Sequence, residues 1–185
     1  MAVHNTSADA ANTAVRAFLT EIGRFYLNRS FNTALGPAKE DWIRIRDVVF
    51  DGKCAYCGKN DSKLQMEHLI MFNRVGFGLH HPGNIVPACP ACNSRSKNEN
   101  IYNSWEQHLS FICERNNEKD KFMDRWNNIK KHIDEGEYKY PDLSAEEKNA
   151  LRIIASNLYE SVKNEFDQAV KLFEELNTAY NKRNA

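Results

Sequence analysis

CAYCGKNDSKLQMEHLIMFNRVGFGLHHPGNIVPACPACN, residues 54–93, places two Cys-x-x-Cys pairs at either end of a long interval. Four thiolates about 2.3 Å from a zinc ion form a closed tetrahedral site with no position left for water. Cys54, Cys57, Cys89 and Cys92 are therefore read as ligands of a structural zinc. Residues 58–88 exceed the roughly 15–20 residues that separate the pairs of an ordinary zinc ribbon, so the interval has a second task.

Within that interval stand Glu67 and His68, adjacent in a short, partly alternating run, KLQMEHLI, that reads as a strand. Neighbours on a strand point to opposite faces, so one can ligate a metal while the other addresses water. Asn93 follows zinc ligand Cys92 directly, which ties its amide to the knuckle. A carboxylate and an amide oxygen suit a hard cation such as Mg²⁺, which keeps several waters and is readily shared with a phosphate. Phosphodiester hydrolysis is the chemistry these parts fit.

Outward from the knuckles the chain reads as helical. Val15, Phe18, Leu19, Ile22, Phe25 and Tyr26 predict an amphipathic helix from Ala10 to about Asn28, with Thr6 or Ser7 as its cap. A second helix is predicted from Lys39 to Phe50, stopped by Asp51-Gly52. NIVPA before Cys89 is a second strand, and a helix is expected to begin within or just beyond the second knuckle. Phe122, Trp126 and Ile129 mark a further helix, and Ser144 with Glu147 is a capping-box signature. The apolar stripe that follows, Leu151 through Leu176, calls for a helix of about 35 residues that packs on the N-terminal helix, on a second copy or on a partner protein. His80-His81 beside Pro82-Gly83 read as a solvated loop, with contact to substrate or assistance to the metal site as the alternative, and Cys113 stands apart in a helix-like segment.

Lys plus Arg and Asp plus Glu number 25 each, so the chain is neutral overall and any nucleic-acid surface must come from local placement. Residues 44–99 carry eight basic against five acidic side chains, a modest excess that a four-thiolate zinc site, at about −2, largely offsets. No apolar run is long enough for a membrane span or a signal peptide, and the paired cysteines favour metal over disulfides; both point to a cytoplasmic protein.

CAYC, Glu67-His68, Asn84 in GNIVPAC, and CPACN followed by Lys97 together resemble the HNH endonucleases of the ββα-metal group, in their form with two zinc knuckles. The resemblance covers about residues 42–98. It implies that His68 is the general base, that Glu67 and Asn93 hold a catalytic Mg²⁺ or Mn²⁺, and that Asn84 orients the loop bearing the histidine. The implied substrate is DNA, with RNA left open, and Arg95, Lys97 and Arg74 are the residues expected to contact phosphate. Restriction, defence against phage and nicking by mobile elements are roles consistent with it. Family members often have Asp before the histidine and Pro three residues after it, where this chain has Glu67 and Met71.

The expected architecture is α+β: an N-terminal helical segment over 1–37, a zinc-stabilised ββα-metal core over 38–100, and a C-terminal helical region over 101–185. The alternative from another class is a noncatalytic zinc module for nucleic-acid or protein recognition, against which Glu67, His68 and Asn93 together argue.

Overall fold

The computed structural model describes residues 6–31, 36–98 and 101–183. Helix α1 runs Ser7–Leu27, opened by Thr6, whose side chain accepts from the Asp9 amide, and closed at Asn28 in the left-handed region. Helix α2, Pro37–Arg44, passes into a single wider turn over Ile45–Val49 and stops at Phe50, before the positive-φ residues Asp51 and Gly52. Strands β1 (Gln65–His68) and β2 (Ile85–Ala88) pair antiparallel, with Glu67 opposite Val86 and His68 opposite Ile85.

One expectation needs correction. No helix begins at the second knuckle: a short antiparallel pair, β3 (Lys97–Asn98) and β4 (Ile101–Tyr102), comes first. Helix α3, Trp105–Arg115, starts only at the Ser104–Gln107 capping box. The delay has a local cause. Asn93-Ser94-Arg95-Ser96 is poor in helix formers, and the Arg95 side chain is drawn into the interior.

Helix α4 spans Phe122–Asp134 and helix α5 Ala145–Arg183, the latter opened by the Ser144–Glu147 box in which each side chain takes the other's amide. Two buried clusters organise these elements into an α+β fold. The larger gathers all four knuckle cysteines with Tyr56, Val86, Leu109, Ile112 and Ile129, so α3 and α4 complete the core around the knuckles beyond residue 100. The second packs Ala11, Val15 and Leu19 of α1 against Leu151, Ala155 and Tyr159 of α5, with Leu79 from the interval beneath them. No helix among the described residues is long and apolar enough to cross a membrane.

Candidate metal centre and nuclease site

The four knuckle sulfurs lie within 4.8 Å of one another, and Cys57 Sγ and Cys89 Sγ are 3.8 Å apart. A tetrahedron of bonds about 2.3 Å long has edges of about 3.8 Å, so the donor set fits zinc. Electrostatics agrees with the geometry. Hydrogen bonds from Cys54 and Cys92 hold Cys57 down at about 2, whereas sharing with Cys57 pushes Cys54 up to about 11 and Cys92 also upward. The sulfurs thus compete for one another's protons, and a divalent cation is what lets all four ionise. Arg115 Nη2 donates to Cys92 Sγ at 3.8 Å, which offsets part of the surplus negative charge. Among the described residues these thiols are the one group of three or more His, Cys, Asp or Glu side chains close enough to share a metal.

From the knuckles a buried polar chain leads to β1. His108 Nε2 donates to the Cys92 carbonyl at 2.8 Å, and its ring meets Tyr56 edge-on at 4.7 Å. Arg95 Nη2 donates to Tyr56 Oη at 3.1 Å and to the His68 carbonyl at 2.7 Å, while Nη1 donates to the Leu69 carbonyl at 2.8 Å. The Arg95 side chain is only 2% exposed. Its guanidinium braces the back of the strand end, so the expected phosphate contact is replaced by an internal one: burial and three interior acceptors hold it away from the surface. Arg74 also sits elsewhere than expected, its guanidinium 4.2 Å above the Tyr159 ring of α5. Lys97 lies on β3, a few residues past Asn93.

Glu67 shares the Arg95 side of β1. Its Oε1 lies 2.7 Å from Arg95 Nε, yet neither atom has a well-aligned hydrogen bond. The two form a charge pair with an unmet hydrogen-bonding valence, because Coulomb attraction tolerates angles that hydrogen bonding does not. Burial raises the Glu67 pKa, with Arg95 opposing. Gln65, two residues before Glu67, projects to the same face, and its Oε1 accepts from Asn93 Nδ2 at 2.8 Å. That bond leaves the lone pairs of Asn93 Oδ1 uncommitted. A carboxylate and an amide oxygen are donor types that suit a hard, oxygen-seeking cation, although Glu67 Oε1 itself is turned to Arg95.

Removing the guanidinium alone would strand the Glu67 carboxylate. Arg95→Met is expected to cost about 3–5 kcal/mol in denaturant unfolding, and Glu67→Gln combined with it to recover part of that loss. A variant of native stability but weakened DNA binding would restore Arg95 to the surface role.

His68 occupies the other face. Its ring stacks on Phe72, centroids 4.7 Å apart at 11°, and Nε2 lies 3.1 Å from His80 Nδ1. The Phe31 backbone hydrogen-bonds to His80 and favours its protonated form, as an accepting carbonyl does. A neutral imidazole has one N–H. If His80 spends it on Phe31, its Nδ1 accepts from His68 Nε2–H, and His68 presents Nδ1 as the free lone pair. Burial, then the charges of His80, Arg95 and Arg16, push His68 down to about 3, so it stays neutral.

His80, read from the sequence as part of a solvated loop, is instead the ring neighbour of His68. Nothing in its spacing announces it, because the folding of residues 69–84 creates the contact. Asn84, fully buried, closes that loop: Oδ1 accepts from the Ile70 amide at 2.7 Å and Nδ2 donates to the Ile70 and Leu79 carbonyls at 2.9 and 3.0 Å. Gly78 permits the closure, since a Cβ there would lie 2.0 Å from the Ile70 oxygen. Gly23 lets α1 press onto the same loop, where a Cβ would meet the His80 oxygen at 2.3 Å. His81 turns inward instead, its Nδ1 accepting from the Gly83 amide at 3.1 Å.

Residues 54–99 match the family model described as HNH endonuclease. The resemblance read from the knuckles, Glu67-His68 and Asn93 is thus matched over this segment, which carries a nuclease-type fold with a cysteine metal site. Comparison with curated proteins and with solved structures gives no match.

Proposed function

We propose that the chain is a metal-dependent endonuclease that hydrolyses DNA phosphodiester bonds, with His68 as general base and Glu67 and Asn93 as ligands of a divalent cation. The observation that carries this reading is the His68 ring, stacked on Phe72 with Nε2 3.1 Å from His80 Nδ1; in the tautomer that donates to His80, Nδ1 keeps the lone pair that takes a proton from water. In the reaction Nδ1 accepts the proton, the water oxygen bonds to phosphorus, and the bond to the 3′ oxygen breaks; the departing 3′ oxygen takes a proton from solvent water, giving 5′-phosphate and 3′-hydroxyl ends. Mg²⁺ or Mn²⁺, when bound, would supply positive charge against the phosphate and acidify the attacking water. Arg95 and Asn84 hold β1 and its loop so that His68 is presented without reorganisation.

The Glu67–Arg95 pair favours a second reading, in which the carboxylate is structural and the segment is a noncatalytic zinc module. Plasmid DNA incubated with the purified protein and Mg²⁺, Mn²⁺ or EDTA separates the two. Under the nuclease reading cleavage is metal-dependent, and Glu67→Ala and Asn93→Ala each move the Mg²⁺ titration to higher concentration while zinc stays at one ion per chain. An unchanged titration in both variants would remove them from the cation site.

A further inference from the structure

Beyond the part that packs on α1, helix α5 carries an apolar stripe with no cover among the described residues. Phe166, Val170, Leu172, Phe173, Leu176 and Tyr180 are exposed by amounts between 42% at Phe166 and 70% at Phe173. Read in heptads, position a holds Tyr159, Phe166, Phe173 and Tyr180, and position d holds Ala155, Val162, Ala169 and Leu176. Ala155 and Tyr159 are buried against α1 and Val162 is partly so. The rest continues the seam into solvent.

We infer that this stretch pairs with the same stretch of a second copy, as an antiparallel two-stranded coiled coil centred on Lys171. Size complementarity points to that register. With the helices antiparallel about residue 171, each bulky a residue meets a smaller d residue of the other copy: Tyr180 meets Val162, Phe166 meets Leu176, and Phe173 meets Ala169. A parallel pair would stack Phe166 on Phe166 and Phe173 on Phe173, and leave Ala169 facing Ala169, overfilled and underfilled in turn. Sliding the antiparallel pair one heptad toward the globular part would require Ala155 and Tyr159, which α1 already covers. A slide the other way discards layers.

The flanking positions agree with the same register. Val170 meets Val170 and Leu172 meets Leu172 beside the two-fold axis, and farther out Lys163 faces Asn177 and Glu165 faces Ala179. No like charges are opposed. Charge also weighs against the other occupants. Residues 160–183 carry five acidic side chains against four basic ones, so the polar face is nearly balanced. It has no Lys- and Arg-rich stripe of the kind that holds nucleic acid or an anionic membrane surface.

The test uses the full chain and does not depend on the nuclease assignment. Sedimentation equilibrium should give twice the 21.4 kDa chain mass for the wild type. Phe166→Glu with Phe173→Glu should give the single mass, with zinc content and the thermal transition of the core retained. Orientation is read by a nitroxide on Asn181→Cys. Twenty residues of helix at about 1.5 Å each put it roughly 30 Å from its copy in the antiparallel pair, against about 10 Å in a parallel one. A monomeric wild type at about 100 µM, a double variant that remains paired, or the short distance would each overturn the proposal.

Discussion

His68→Ala is expected to lower the rate of plasmid cleavage by about 10²–10⁴, the usual worth of a positioned general base, while leaving DNA affinity nearly unchanged. The expectation follows from a half-buried ring with one committed nitrogen and one free one. His80→Ala should reproduce part of the loss, because it removes the acceptor that fixes the His68 tautomer. His80→Asn, whose amide oxygen can accept the same N–H, should restore part of the rate, which a merely space-filling role would not allow. His81→Ala should act on stability instead, since its ring closes the turn at Gly83.

The pH dependence distinguishes this arrangement from an unperturbed histidine. A free imidazole would protonate near pH 6.5 and cleavage would fall there. With His68 held at about 3, it remains neutral well below that value, so the chemical step should not lose its base between pH 8 and 5. The protein itself is the weaker element in acid. Burial lowers the pKa of His132, whose Nε2 bonds to the Pro82 and Ile85 carbonyls, and pushes His81 down to about 4. Below about 6.5 the unfolded chain takes up protons that these folded histidines refuse, so stability present at neutral pH is lost as the pH falls from there toward 4. Loss of activity that tracks the unfolding transition across a pH series, and not a titration near 6.5, is the expected record. A sigmoidal fall centred near 6.5 in fully folded protein would contradict the environment assigned to His68.

The gathering of the four knuckle cysteines, β1 and β2, the capping box at Ser144 and the long final helix were legible because each is written in local spacing: paired cysteines, alternation, a cap three residues before its partner, and a 3.6-residue stripe. The inward turn of Arg95 was not, since an arginine directly after a zinc knuckle looks the same whether it faces phosphate or Tyr56. Only the depth of β1 behind the knuckle decides that. The His68–His80 contact was illegible for a related reason. It depends on Asn84 fastening the loop between them, and a loop's closure is a tertiary event that neither histidine's neighbours encode. The β3–β4 pair before α3 was missed because two residues per strand leave no period to read.

Cys89→Ser is expected to abolish the fold around residues 54–138, a larger effect than any side chain of the proposed nuclease site can produce. Structural zinc contributes about 10–16 kcal/mol to folding in small zinc-bound domains. That is as large as the whole stability of a typical domain, about 5–15 kcal/mol. In this chain the loss cannot stay local, because the knuckle cysteines belong to the same buried cluster as Tyr56, Leu109, Ile112 and Ile129. Once the second knuckle lets go, Asn93 loses its anchor at the Cys89 carbonyl, and Tyr56, His108 and Arg95 lose the framework that holds the His68 carbonyl. Elemental analysis should find about one zinc per chain in the wild type and in His68→Ala, and none in Cys89→Ser. The serine variant should show a lowered, broadened thermal transition, and chelation of the wild type should reproduce it. Helices α1 and α5 pack through a separate cluster, so part of the helical signal should outlast the core. Well-folded wild-type protein without zinc, or Cys89→Ser with native stability, would refute the structural role of the metal and leave the long interval between the knuckles without its frame.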